Sequence, residues 1–375
     1  MSIINQENSI RRKPKHMLSI KEIPVKGYEK VIEAIDPNTN LHCIIAIHSL
    51  KLGPALGGVR IHSYNTQQDA LEDVLRLSKA MTYKSAIVEN GLGGGKSVIM
   101  ANPKKEKTEA LLLSFAEVLN SLQGTYIAAE DVGTTTEDMM VLKKRTPYVC
   151  ALPIEKSSGD PSRFTAWGVF RGLQAVAEKL WRTNSLRKKT IAIQGLGSVG
   201  AKLANILFWE GAELILCDSD PKHVNHMANM YGGEVVDPKD FFSVKCDILA
   251  PCALGGIINE ETIPQLRCEA VAGAANNQLL RPENGLQLMQ KGILHAPDNI
   301  INSGGITNAA AEFDQDGYNP KRVRDKVNQI YELLIEVFNR SEREKKSPNQ
   351  VADEIAEFNI AHEVGRRKVP INFKR

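Results

Sequence analysis

The chain has 375 residues, 24% charged and 42% hydrophobic, an ordinary globular composition with room for two domains. Net charge is only +3, so a nucleic-acid surface is not expected, and no stretch approaches the roughly 20 apolar residues that cross a bilayer. The basic cluster Arg11, Arg12, Lys13 and Lys15 reads as a solvated tail, and with no apolar run after it a signal peptide is not expected. Six cysteines (43, 150, 217, 246, 252 and 268) lack metal-ligand spacing. They read as reduced thiols of a cytoplasmic protein, with no metal site.

Residues 28–48 predict two strands, separated by turn chemistry at Asp36-Pro37-Asn38. The run Gly53-Pro54-Ala55-Leu56-Gly57-Gly58 predicts a loop, either an ordinary turn or one whose N–H groups face an anion. Apolar spacing predicts a helix over 66–82, capped by Thr66, with Lys84 just beyond its end. A short strand is expected at 86–88, and then Gly93-Gly94-Gly95 runs directly into Lys96. Gly95-Lys96-Ser97 looks like the end of a triphosphate-binding loop, but Asn90 stands where that motif needs glycine. Lys84 and Lys96 are therefore either solvated surface lysines or two amines of one site. A strand at 98–100, a helix over 107–122 and a strand at 126–129 follow. Glu130 and Asp131 end that last strand, where they would face a cleft or cap the helix expected at 136–143.

The Pro-, Ser- and Gly-rich stretch 150–165 marks the expected domain boundary, and a helix is expected from Thr165 to Trp181. Next come a strand at 190–194, the run Gly195, Leu196, Gly197, Ser198, Val199 and Gly200, a helix at 201–209 and a strand at 213–217 ending in Asp218. A GxGxxG between strand and helix, with an acid closing the next strand, points to dinucleotide binding. Gly195 allows the turn, Gly197 a close approach to the diphosphate, and Gly200 close packing of helix on strand. Asp218 would accept hydrogen bonds from ribose hydroxyls and repel a 2′-phosphate, which favours NAD over NADP. Strands are expected at 246–250, 270–273 and 299–301. The loops after them hold Cys252, Ala253 and Leu254, then Asn276, then Asn302, and ligands bind at such carboxyl ends. From 319 onward the chain reads as amphipathic helix, over 322–345 and 349–366.

The motifs GPALGG, MTYK, LGGGK, AEDVGT, GxGxxG, APCALGG, AGAANNQL and NSGG occur in this order over residues 40–320. In this the chain resembles the glutamate, leucine, valine and phenylalanine dehydrogenases, most of all the leucine and other branched-chain members. The resemblance implies an α/β fold with two domains around a cleft. An amino-acid dehydrogenase-like N-terminal domain (1–150) would carry substrate and oligomer contacts, with residues 346–375 packing back on it. A Rossmann domain (151–345) would bind NAD. It further implies reversible oxidative deamination of an L-amino acid to a 2-oxo acid and ammonia, by a homo-oligomer.

By position, Lys84 would bind the substrate carboxylate with help from Gly57 and Gly58, and Lys96 would activate water. Asp131 would shuttle protons, and Thr165, Asn276 and Asn302 would position the nicotinamide and the substrate. Leu56, Ala129, Ile306 and Ala309 would form the side-chain pocket. Its apolar lining suits leucine, valine or isoleucine, leaves room for an aromatic side chain, and offers a γ-carboxylate no cation. An inactive NAD-binding regulator on the same scaffold is the alternative from another class. Lys96 would serve best as a base with a lowered pKa, which burial beside Lys84 would supply. Glu89, where the branched-chain enzymes carry a small residue, is expected to face solvent rather than Lys96, and Arg163 and Trp167 replace a more usual Pro and Tyr.

Overall fold

β-Branched residues build the first sheet. In the computed structural model, which describes residues 18–155 and 157–373, β1 (Ser19–Glu22), β2 (Lys30–Asp36) and β3 (Leu41–Ser49) are antiparallel neighbours. The basic cluster at 11–15 lies outside the described residues. The Asp36 carboxylate accepts the Asn38 N–H (3.0 Å) and so closes the expected β2–β3 turn. Then follow β4 (Ala55–His62), α1 (Gln67–Ile87), β5 (Gly93–Met100), α2 (Glu109–Ser121), β6 (Tyr126–Glu130) and α3 (Thr136–Lys143). The sheet order is β1-β2-β3-β5-β4-β6, and β4 runs parallel to both β5 and β6.

Three local expectations fail here for one reason: backbone packing decides conformation more than residue propensity does. Gly57 and Gly58 lie inside β4, not in a loop, and Gly93 to Gly95 lie inside β5. A Cβ on Gly57 would meet the Gly95 carbonyl oxygen at 1.8 Å, and one on Gly94 would meet the Thr82 nitrogen at 2.0 Å. These glycines let two strands and a helix approach more closely than side chains allow. Thr66 caps α1 as expected, through a reciprocal capping box with Asp69. The helix does not stop at Thr82, whose hydroxyl donates back to the Ser78 carbonyl (3.2 Å). It continues through the buried residues Ser85, Ala86 and Ile87, so 86–88 is not a strand and Lys84 sits in the last helical turn.

The second sheet is reached through α4 (Ser162–Trp181), whose apolar face carries Val169, Leu173 and Val176. β7 (Thr190–Gln194), α5 (Gly200–Glu210), β8 (Glu213–Cys217), α6 (Pro221–Tyr231), β9 (Glu234–Val235), β10 (Ile248–Pro251), β11 (Ala270–Val271), α7 (Glu283–Gln290) and β12 (Leu294–His295) follow. All six strands are parallel, in the order β12-β11-β10-β7-β8-β9. Helices cover both faces, so the strands are short and almost wholly apolar, as in Ile191-Ala192-Ile193. The order reverses at β7, and this opens a crevice at its carboxyl end. Residues 299–301 are not a strand. Pro297 and Asp298 start a short helix there, α8 (Asp298–Ile301), and the strand is β12 just before it.

α9 (Gly304–Ala310), α10 (Pro320–Asn328), α11 (Ile330–Glu344) and α12 (Pro348–Ala361) complete the chain. The helix expected over 322–345 is thus two helices. α12 returns to α1: Asn359 Nδ2 donates to the Ala86 carbonyl (3.1 Å), and Tyr83 OH to Glu357 (2.8 Å). No helix among the described residues is long and apolar enough to cross a membrane.

Gly94→Ala places a methyl against the α1 backbone, which cannot retreat without parting helix and sheet. A loss of about 1–3 kcal/mol in unfolding free energy is expected. An unchanged urea midpoint and slope would show that the backbone contact tolerates the methyl.

Candidate active site

The site begins with strand register. Gly58 pairs with Ala129 and Val59 with Glu130, so the next step along the two parallel strands sets Arg60 beside Asp131. Leu56, Gly58 and Arg60 share one face of β4 by alternation. A Cβ on Gly58 would lie 2.6 Å from that of Asp131, so glycine admits the carboxylate here. Asp131 is fixed from behind, since its N–H donates to Thr134 Oγ1 (2.9 Å) and Thr134 is tied to the Val59 carbonyl (2.9 Å).

Lys96, on β5, is 6% exposed, and its Nζ lies 2.7 Å from Asp131 Oδ2. The same oxygen accepts Arg60 Nε at 3.2 Å. Arg60 is held in turn by Asp73 (2.8 Å), which also accepts the Tyr64 hydroxyl (2.8 Å). Burial pushes the Asp131 carboxyl up, but the Lys96 and Arg60 charges more than offset it and hold it below the usual carboxylate range. Arg60 and Asp73 were not anticipated from the sequence. The alternation Leu56-x-Gly58-x-Arg60 was the available signal.

Lys84 reaches the same space from α1. Its Nζ donates to Asn276 Oδ1 (2.9 Å), which also accepts Asn302 Nδ2 (3.0 Å). Burial, and then the Lys96 charge, bring the Lys84 ammonium down to about 8, against the opposing pull of Asp298 and Asp131. Glu89 does not intrude. It is exposed, with φ of +49°, and its carbonyl accepts Lys326 Nζ (3.0 Å). Trp167 Nε1 donates to Asn328 (2.7 Å), and Arg163 stacks on Phe164 at 4.8 Å.

A cavity of about 1090 Å³ gathers these groups. Its walls include Leu56, Gly57, Gly58, Lys84, Lys96, Ala129, Asp131, Thr165, Asn276, Asn302, Ile306 and Ala309. Leu56, Ala129, Ile306 and Ala309 also share one apolar cluster with Ile127, Cys150 and Phe313. Asp298, Arg76, Lys79 and Tyr83 line the cavity as well and were not singled out from the sequence.

The glycine loop flanks this cavity at the carboxyl edge of the second sheet, and of its six residues only Val199 reaches the wall. Gly195 takes φ of +89°, and a Cβ on Gly200 would be 1.9 Å from the Gly195 carbonyl oxygen. A Cβ on Gly197 would meet nothing within 4 Å among the described residues, so the loop is open there, as a diphosphate cradle requires. Asp218 accepts the Leu196 N–H (2.7 Å) and the Asp220 N–H (3.0 Å). Ala253 packs against Gly195, Cys252 N–H donates to the Gln194 carbonyl (2.7 Å), and Leu254 is 75% exposed. Asn302 Oδ1 is buried with no partner among the described residues.

Residues 29–148 match the Glu/Leu/Phe/Val dehydrogenase dimerisation domain, and 210–366 match the Glutamate/Leucine/Phenylalanine/Valine dehydrogenase domain. The chain belongs to this family. It is a nicotinamide-dependent amino-acid dehydrogenase. It is 46% identical to a leucine dehydrogenase of Geobacillus stearothermophilus, over 91% of this chain and 92% of that protein. It is 43% identical to a phenylalanine dehydrogenase of Caldalkalibacillus thermarum, over 89% and 91%. The solved structure of L-tryptophan dehydrogenase from Nostoc punctiforme superposes with a TM-score of 0.76 at 38% identity, covering 90% of this chain and 96% of that one.

In the dehydrogenase, the lowered Asp131 carboxyl links stability to pH. Its contribution is present above the unfolded carboxylate value of about 3.9 and is lost as pH falls through the lower folded value. Asp131→Asn is therefore expected to flatten the acid loss of stability below about pH 4. Urea unfolding of both proteins across that range measures it; equal pH slopes would contradict the stabilising role of the ion pair.

Proposed function

We propose that the chain catalyses reversible NAD-linked oxidative deamination of a branched-chain L-amino acid: leucine, valine or isoleucine. Amino acid, NAD+ and water give 2-oxo acid, ammonium, NADH and a proton. The observation that carries this reading is the buried Lys96–Asp131 pair, 2.7 Å apart, on the wall of a cleft that also holds Lys84 and four small or apolar side chains.

Each chain group has a task that its setting suits. Lys84 is the cation for the α-carboxylate, and its bond to Asn276 is exchanged for that anion. Gly57 and Gly58 leave the carboxylate space at the β4 backbone. Asp131 accepts a proton from the substrate ammonium, because hydride leaves Cα readily only beside a neutral amine. Lys96 orients the water that adds to the resulting iminium carbon and stabilises the oxygen as ammonia departs. A nicotinamide ring held by these residues would supply the acceptor for the hydride that leaves Cα. Asn302, whose Oδ1 has no partner among the described residues, would offer an acceptor to the carboxamide of that ring, and Thr165 and Asn276 would help to orient it.

The Gly195–Gly200 loop would hold the diphosphate, with Cys252, Ala253 and Leu254 beside it. The Asp218 carboxylate at the end of β8 favours NAD over NADP by charge. The match of residues 29–148 to a dimerisation domain supports a homo-oligomer built through the first sheet. Residues 1–150 and 151–345 are proposed as the two domains, with 346–375 returning to the first. Six free cysteines suit a reducing, cytoplasmic setting.

A second reading has its own support. Ala129 and Ala309 leave space in the pocket, and phenylalanine and tryptophan dehydrogenases are among the similar proteins, so an aromatic substrate fits the same scaffold. Initial rates of NADH formation with a panel of L-amino acids decide between the readings. Leucine, valine and isoleucine are expected to exceed phenylalanine and tryptophan in kcat/KM by about tenfold or more. A preference for an aromatic substrate would replace the branched-chain reading, and no turnover on any amino acid would leave only a regulatory NAD-binding protein.

Lys96→Ala is expected to lower turnover by at least about 100-fold while NAD binding, read by calorimetry, persists. Turnover near that of the unchanged protein would remove Lys96 from the chemistry.

A further inference from the structure

Two thiols lie side by side at the far end of the second sheet. The parallel register of β10 and β11 pairs Ile248 with Ala270, and a further bridge pairs Lys245 with Arg267. The same register makes Cys246 and Cys268 direct partners, with their side chains on one face. Cys246 N–H donates to the Arg267 carbonyl (3.3 Å), so the ladder is intact there. The two thiols lie close enough for each to act on the other. Adjacent strands lie about 4.8 Å apart, within the roughly 4.4–6.8 Å of Cα separation that a disulfide spans.

The pair opens on a cavity of about 470 Å³ that is separate from the catalytic cleft. Lys245, Arg267 and Lys291 line it with the two cysteines, and so do the carboxylates Asp247 and Glu269. The Cys246 thiol, as donor, holds Cys268 below the usual thiol range; burial opposes this, and the Leu249 N–H and the Lys291 charge add to it. Donating to Cys268, together with burial, pushes Cys246 up. The other four cysteines differ, since burial pushes Cys43, Cys150, Cys217 and Cys252 all up. Cys268 is also the less buried of the two, so it is the thiol a peroxide reaches first, with Cys246 beside it as the proton donor.

We propose that Cys246 and Cys268 form a reversible dithiol–disulfide site whose oxidant is a hydroperoxide. The Cys268 thiolate attacks the terminal peroxide oxygen and the O–O bond breaks. This gives a sulfenic acid, and water or an alcohol leaves with the proton. Cys246 sulfur then displaces hydroxide from the Cys268 sulfur. The S–S bond forms, and the Cys246 proton leaves with the hydroxide as water. The two thiols lose two electrons, which reduce the peroxide. The bond staples the amino ends of two strands, whereas the cofactor loop lies at the carboxyl ends.

The test uses the full chain, reduced, desalted and exposed to a small excess of hydrogen peroxide, then alkylated and mapped without reductant. A Cys246–Cys268 linked peptide, lighter by about 2 Da than the sum of the two thiol forms and lost on adding dithiothreitol, is the expected result. In Cys246→Ser the reaction stalls, and dimedone labels Cys268. In Cys268→Ser, Cys246 takes no label under the same exposure. Recovery of both thiols free, linkage to other cysteines, or separate sulfinic acids at 246 and 268 would overturn the proposal. The peptide map of the unchanged chain decides between these outcomes even if a variant fails to fold, and it needs no dehydrogenase activity.

Discussion

The structure depends on bringing one lysine and one aspartate together, largely out of solvent, on the wall of the cleft. Leaving either Lys96 or Asp131 unpaired in that environment would cost about 3–5 kcal/mol. The surrounding chain is arranged so that both are satisfied at once. β5 delivers Lys96, the end of β6 delivers Asp131, and β4 runs between them with glycine at 57 and 58. A side chain at either glycine would strike the Gly95 carbonyl or Asp131 itself. The glycines thus set the spacing of the ion pair, a constraint that treating them as loop residues does not convey.

Arg60 changes how that pair is understood. With Lys96 alone, Asp131 would sit in a simple two-member contact. With Arg60 on the same oxygen, and Asp73 and Tyr64 behind Arg60, the carboxylate is held within a charged network anchored on α1. Two cations against one carboxylate keep it ionised despite its burial. The second cation also leaves Lys96 with a partner it need not monopolise. That arrangement would suit the role proposed for Lys96, which needs to turn toward a water or a reacting oxygen.

Sequence legibility followed physical scale. The opening unit of the Rossmann half was readable nearly to the residue, because Thr190–Gln194, the glycine run and Glu213–Cys217 are set by local chemistry and by burial on both faces. The cap at Thr66 and the helix from Thr136 to Lys143 were readable for the same reason. The failures were tertiary. Gly-rich segments at 57–58 and 93–95 have poor strand propensity, and only cross-strand contacts make them strands. Asn299, Ile300 and Ile301 look like a strand by composition, but Pro297 and Asp298 begin a helix. Lys84, Lys96 and Asp131 were found through motif order rather than physics, while Arg60 was missed although alternation alone places it beside Gly58.

The contact between Lys84 and Asn276 joins the two sides of the cleft. Lys84 stands on α1 of the first sheet's layer, and Asn276 on a loop after β11 of the second. The cation proposed for the carboxylate is held here by the amide oxygen of a residue proposed for the cofactor side. In the function proposed above, a carboxylate arriving at Lys84 would compete with Asn276, and Asn276 so released would be free to turn, with Asn302, toward the ring. Asn302 Oδ1 meanwhile lacks a partner among the described residues, a cost of about 1–3 kcal/mol that a bound donor would remove. Lys84, Asn276 and Asn302 share one hydrogen-bond network across the cleft, so under the proposed roles filling one side would alter what the other can offer.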